Sequence, residues 1–168
     1  PVQFTDAGRF ARIDSRIDFS RYSQKGAYSI QTKRGCAHGC IYCTYPVIEG
    51  RKFVPREAAD IVDEMEDTTQ RLGNVTFEFV DSTFNDPPGH AEAICGEIIR
   101  RNKKYRMRTM GINPGHVTGE LFPMMKEAGF TQIDATPDTA SASMLRRLGK
   151  GFSLDDVRRM AGFIRDCD

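Results

Sequence analysis

The sequence has no run of apolar residues approaching the roughly 18 that a membrane span needs. Its first residues, Pro-Val-Gln-Phe-Thr-Asp, lack the basic-then-apolar order of a secretory signal. A surplus of one charge is missing too: 24 Lys and Arg stand against 23 Asp and Glu, a formal charge of +1. That balance argues against a protein that works by coating nucleic acid or an anionic membrane. Low-complexity segments are absent, and 39% hydrophobic with 28% charged residues excludes a disordered or collagen-like chain. Together these features lead us to expect a soluble, cytoplasmic protein. Its 168 residues leave room for one domain, which buries about 70% of its unfolded surface and needs no metal merely to fold.

What is present in an unusual arrangement is cysteine. There are five, and an odd number disfavours a fully paired secreted framework. Cys36, Cys40 and Cys43 fall within eight residues, which suits a metal better than disulfides. Cys95 sits among Ala93, Ile94 and Ile98 in a helical pattern and reads as a small core residue. Cys167 receives no role.

Residues 1–27 are polar, with Arg and Asp interleaved, and read as a lead-in segment over a domain formed by residues 28–168. Residues 28–32 alternate apolar and polar like a short strand that runs into the cysteine loop. Pro55 is expected to open a helix carrying Ala58, Ile61, Val62, Met65 and Leu72, closed by Gly73. A strand from Val75 ends near Asp81, and a helix with Ala91, Ile94 and Ile98 follows the turn at residues 86–89. A third strand covers 105–112. Thr118 is expected to cap the next helix, with Gly129 at its C-terminal side. Residues 130–135 form a fourth strand. Ser141 caps a helix through Leu148, and Ser153 with Asp156 resembles a capping box for the last.

Four strands, each followed by a helix, predict an α/β fold with a parallel sheet and outer helices. In such folds the working residues sit at the C-terminal ends of the strands. Those ends hold the three cysteines, then residues 81–85, then Asn113 and His116, then residues 136–141.

The spacing Cys36-Ala-His-Gly-Cys40-Ile-Tyr-Cys43 carries the chemistry. Three thiolates at short range can hold three irons of a 4Fe–4S cluster, and a missing fourth cysteine leaves one iron open. The competing reading is zinc, bound with His38 or a distant histidine, or a non-catalytic iron–sulfur module; no second pair of ligands supports the zinc site.

This motif, with an aromatic before the third cysteine, resembles the radical S-adenosylmethionine (radical SAM) superfamily. The wider stretch, residues 30–50, is similar to the branch often fused to a cobalamin-binding domain. The resemblance implies a partial (βα)6 TIM-like barrel with about four βα units present. It further implies a 4Fe–4S cluster on Cys36, Cys40 and Cys43 that cleaves S-adenosylmethionine to methionine and a 5′-deoxyadenosyl radical. Family position assigns Tyr42 to adenine, Asp81 and Ser82 to the methionine amino group, and Asp138 and Ser141 to the ribose. Asp138-Thr-Ala-Ser141 departs from the family's Glu-Ser-Gly-Ser, and the usual Gly-Gly-Glu is absent at residues 81–83.

The resemblance also implies a one-electron reductant of the flavodoxin or ferredoxin type and a small-molecule substrate. A cobalamin-dependent methyltransferase or ring-forming enzyme is the enzymatic alternative, its cobalamin held by a domain outside this sequence. No segment matching the family's fifth strand is found, so an incomplete piece of a longer enzyme, or an unusually short barrel, is expected. Six of the nine residues 100–108 are basic, but they join a helix to a strand at the end away from the cysteines. A solvated or docking face suits them better than nucleic acid.

Overall fold

A computed structural model describes residues 17–19 and 26–167. The elements are β1 (Ala27–Ile30), β2 (Lys33–Arg34), α1 (Tyr45–Ile48), β3 (Val54–Pro55), α2 (Ala58–Leu72), β4 (Thr76–Phe79), α3 (His90–Arg100), β5 (Arg106–Thr109), α4 (Leu121–Ala128), β6 (Phe130–Ile133), α5 (Ala142–Arg147) and α6 (Leu154–Arg165), with a 3-10 turn at Pro114–His116. The proposed lead-in lies mostly outside the described residues; within it, the Phe19 ring packs 5.0 Å from that of Tyr28.

Strands β1, β4, β5 and β6 form one parallel sheet in that order, an open part of a barrel. Alternation decides which face is covered. Tyr28, Ile30, Phe77, Phe79 and Met107 are buried, together with Ile61 and Met65 of α2, Ile94 and Ile98 of α3, and Leu121 and Met125 of α4. Phe79 lies between Phe84 at 4.8 Å and Phe130 at 5.4 Å between ring centroids, which ties the sheet to the loop after β4. Most residues of the opposite register are polar, and Arg108 pairs with Glu78 at 2.6 Å across β5 and β4. Cys95 is fully buried, as its helical neighbours imply.

Two helix starts differ from expectation. Pro55 does not open α2; it pairs with Lys33 in an antiparallel ribbon of β2 and β3. Val54 precedes a proline and stays extended, and Arg56 N donates to Thr32 O at 2.9 Å, so helical turns begin only after Glu57. Thr118 does not cap α4 either. A turn at residues 119–120 delays that helix, whose N-cap is Glu120. Ser141 and Ser153 are N-caps as expected, the latter in a reciprocal capping box with Asp156.

Four of the six basic residues in the segment 100–108 are ion-paired. Arg101 reaches Asp63 of α2 at 2.5 Å and Glu97 at 2.6 Å, and Lys103 reaches Glu66 at 3.1 Å. These contacts fasten the C-terminus of α3 to α2, away from the cysteine loop. Among the described residues no helix is long and apolar enough to cross a membrane.

Candidate functional site

The loop bearing the cysteines is stretched between β2 and β3, and the pairing of those strands brings its two ends together. Cys36 N donates to Gly50 O at 3.0 Å. Gly35 has φ +78°, and a Cβ there would meet Lys52 O at 1.9 Å, so only glycine lets the loop close. The far side rests on the end of α5. Ile41 N donates to Leu148 O at 3.0 Å, and a Cβ on Gly149, at φ +70°, would lie 2.5 Å from Gly39 O. Cys36 is buried, whereas Cys40 and Cys43 are partly exposed, and all three are free thiols.

Beside this loop lies a cavity of about 320 Å³. Cys40 and Tyr42 line it from the cysteine loop, Ser82 and Thr83 from the loop after β4, Asn113 from the loop after β5, and Asp138, Lys150 and Phe152 from the region after β6. Four sequence-distant connections therefore face one space.

Tyr42, Asp138 and Lys150 form its most polar wall. The Tyr42 hydroxyl donates to Asp138 Oδ2 at 2.9 Å, and Lys150 Nζ donates to the same oxygen. Lys150 Nζ also lies 5.0 Å from the Tyr42 ring centroid and 5.8 Å from that of Phe152. Partial burial works against the Lys150 charge, but the bonds to Asp138 and Tyr42 outweigh it and raise its pKa to about 12. Asp138 has φ +64°, a left-handed conformation that Asp tolerates better than most residues and that serves here to aim its carboxylate. Burial raises the Cys40 thiol above its ordinary value, and the Lys150 charge partly offsets this.

A second polar cluster holds the loops in place. Asp81, expected at a cofactor's amino group, instead has its carboxylate engaged within the protein. It accepts from Thr32 N at 2.8 Å, Thr32 Oγ1 at 2.7 Å and Lys33 N at 3.1 Å. Because the Thr32 proton goes to Asp81, the ring of His90 must donate to Thr32 Oγ1, at 2.8 Å. Lys33 is fully buried, and its Nζ donates to Thr83 O. Burial pushes the Lys33 ammonium down and the Asp81 carboxyl up, each restrained by the other's charge. Ser141 caps α5 through Met144 N, so its hydroxyl too has a structural task.

Asp86 was legible in the sequence only as part of a turn. It is fully buried and accepts from His38 at 2.7 Å, from Thr83 at 2.7 Å, from Asn113 at 3.1 Å and from His116. Lys33, Gly149 and Phe152 were likewise not singled out.

Among the described residues no three His, Cys, Asp or Glu groups converge as they would around a single ion. A cubane makes a different demand, one thiolate per iron corner. Three free thiols on one closed loop beside a cavity are a donor set that fits it.

The profile of the Radical SAM superfamily matches residues 30–167. The chain belongs to the radical SAM superfamily. Tryptophan 2-C-methyltransferase from Streptomyces laurentii is 37% identical over 87 residues, covering 51% of this chain and 14% of that protein. The ribosomal protein uS12 methylthiotransferase RimO of Thermotoga sp. (strain RQ2) is 25% identical over 162 residues, 92% of this chain and 37% of that one. The solved radical SAM methyltransferase TsrM of Kitasatospora setae, with cobalamin and a 4Fe–4S cluster bound, superposes with a TM-score of 0.79 at 26% identity, covering 94% of this chain and 30% of that chain. This radical SAM chain thus spans well under half the length of each of these three proteins.

Proposed function

We propose that this chain is the cofactor-bearing part of an enzyme that binds a 4Fe–4S cluster through Cys36, Cys40 and Cys43 and cleaves S-adenosylmethionine reductively. The observation that carries this reading is that the cysteine loop, through Cys40 and Tyr42, lines the same 320 Å³ cavity as Asp138 and Lys150. When bound, the cluster supplies one electron to the sulfonium and an open iron for the methionine amino and carboxylate groups.

The chain's own residues bind and orient. Tyr42 offers its ring face to the adenine while its hydroxyl is tied to Asp138. Asp138 presents a carboxylate to the ribose hydroxyls, and Lys150 keeps that carboxylate ionised and supplies a positive charge at the cavity wall. Ser82 lines the cavity, so its hydroxyl is the residue of the 81–82 pair that meets the methionine moiety. Asp81 and Ser141 act behind that surface, holding the β1–β2 connection and the start of α5. The core domain runs over residues 28–168. Five free thiols suit a reducing compartment such as the cytoplasm, with an external one-electron carrier as reductant and a small molecule as substrate.

The test is anaerobic loading with iron and sulfide, reduction by dithionite and assay for 5′-deoxyadenosine. Loading near four irons per chain, abolished by alanine at any of the three cysteines, is the expected result. Full iron retention in the triple alanine variant would sink the assignment.

A second reading has its own support. The structural similarity to TsrM, solved with cobalamin bound, favours methyl transfer with a cobalamin held by another domain. Product analysis separates the two: a methylated substrate with S-adenosylhomocysteine marks methyl transfer, whereas 5′-deoxyadenosine without a methylated product marks the radical route alone.

A further inference from the structure

The outer side of the cysteine loop is apolar and uncovered. Ile41, between two of the thiols, is 73% exposed, and Val47 and Ile48 of α1 are 78% and 69% exposed. Three large aliphatic side chains left in water beside a reactive loop are a mark of a contact surface. The charges around them have one sign. Arg51 and Lys52 follow directly and are exposed, as are Arg146 and Arg147 of α5, whose end is hydrogen-bonded to Ile41 through Leu148 O. Between Cys40 and Lys52 the sole carboxylate is Glu49, and it is turned inward, accepting from Gln31 Nε2 at 2.8 Å and Gly35 N at 3.3 Å. In the remote basic segment, by contrast, Arg101 and Lys103 are paired with Asp63, Glu66 and Glu97. Exposed positive charge is therefore a feature of the surroundings of the loop.

We infer that this surface, with Val47 and Ile48 at its centre and Arg51, Lys52, Arg146 and Arg147 at its rim, is the docking site of an acidic one-electron carrier protein. The inference rests on the cluster reading above and adds the partner's place and chemistry. An apolar centre with a charged rim is the ordinary plan of a transient interface, and opposite charge accelerates encounter without requiring tight binding. The step moves one electron: the carrier is oxidised by one, the cluster is reduced by one, and no bond or proton changes. Docking on Val47 and Ile48 brings the carrier against the loop that holds the thiolates, and neither residue lines the substrate cavity.

The experiment uses the full 168-residue chain loaded anaerobically with iron and sulfide, and follows oxidation of reduced flavodoxin by stopped flow. Val47→Glu with Ile48→Glu, and separately Arg51→Glu with Lys52→Glu, should each slow reduction by flavodoxin about 10-fold, with reduction by dithionite and iron content unchanged. Rising salt should slow the flavodoxin reaction of the parent chain and have little effect on the charge-reversed variant. Equal flavodoxin rates in parent and both variants overturn the docking proposal alone. A parent chain that takes up no iron overturns the cluster reading and this proposal with it. Should the parent form a dimer that Val47→Glu with Ile48→Glu dissolves, while flavodoxin rates do not change, the surface is a self-association site and the proposal fails.

Discussion

Nε2 of His38, inside the cysteine loop, donates to Oδ2 of Asp86 at 2.7 Å, linking two residues 48 positions apart. The other carboxylate oxygen of Asp86 faces His116, so a single buried anion joins the cysteine loop to the loops after β4 and β5. Burial alone would raise its pKa, but the donors from His38, His116 and Thr83 prevail and hold it well below the ordinary carboxylate range.

Asp86→Ala should destabilise the fold by about 2–4 kcal/mol, because two imidazoles and the Asn113 amide lose a buried acceptor. Urea denaturation measures this. With its folded pKa depressed, Asp86 contributes its full stability above 3.8, its ordinary value, and loses it as pH falls below that. The parent should therefore lose stability below pH 3.8 more steeply than the variant.

His90 sets a different acid limb. Burial and the nearby Lys33 charge lower its pKa from 6.5 to about 4, and its place in the first turn of α3 acts in the same direction. The unfolded chain takes up the proton near pH 6.5 and the folded one near 4, so stability falls as pH drops through that interval. The full effect is about 3 kcal/mol. His90→Gln should flatten the stability profile between those values in thermal denaturation.

Gly149→Ala should cost about 1–3 kcal/mol and lower iron uptake, since the new methyl meets the carbonyl of Gly39. Gly73→Ala is the matched control: its φ is also positive, but nothing lies within 4 Å. It should cost a similar ~1–3 kcal/mol of backbone strain and leave iron uptake unchanged. Equal iron contents in the two variants would show that the α5 contact does not shape the loop.

Lys150→Met should weaken S-adenosylmethionine binding to the cluster-loaded chain about 10-fold by calorimetry, because Asp138 loses its cation at the cavity wall. Tyr42→Phe keeps the ring and removes one hydrogen bond, so its effect should be smaller. The reverse order would mean that the hydroxyl, and not the charge, organises this wall.

The parallel α/β plan was legible because strand alternation and helix periodicity are local. Phe77 and Phe79 point to one face by pleat geometry, and Ser141 and Ser153 cap through bonds spanning three residues. Pro55 misled for the complementary reason. Its conformation also suits a helix start, and the strand partner that overrides this, Lys33, is 22 positions away. Asp81 and Ser82 illustrate the same limit at the site, as adjacent residues of which one is spent on Thr32 and Lys33 and the other lines the cavity.

Composition and spacing were enough to pick out the candidate donor set: three thiols within eight residues in a nearly neutral α/β chain, all on a single loop. Folding in three dimensions settled what surrounds those thiols. It gave Asp138 its lysine, closed the loop against Lys52 and Gly149, and gathered four donors around Asp86. His38, Asp86 and Asn113 come from three separate connections, and they meet because a parallel sheet delivers its strand ends to the same side.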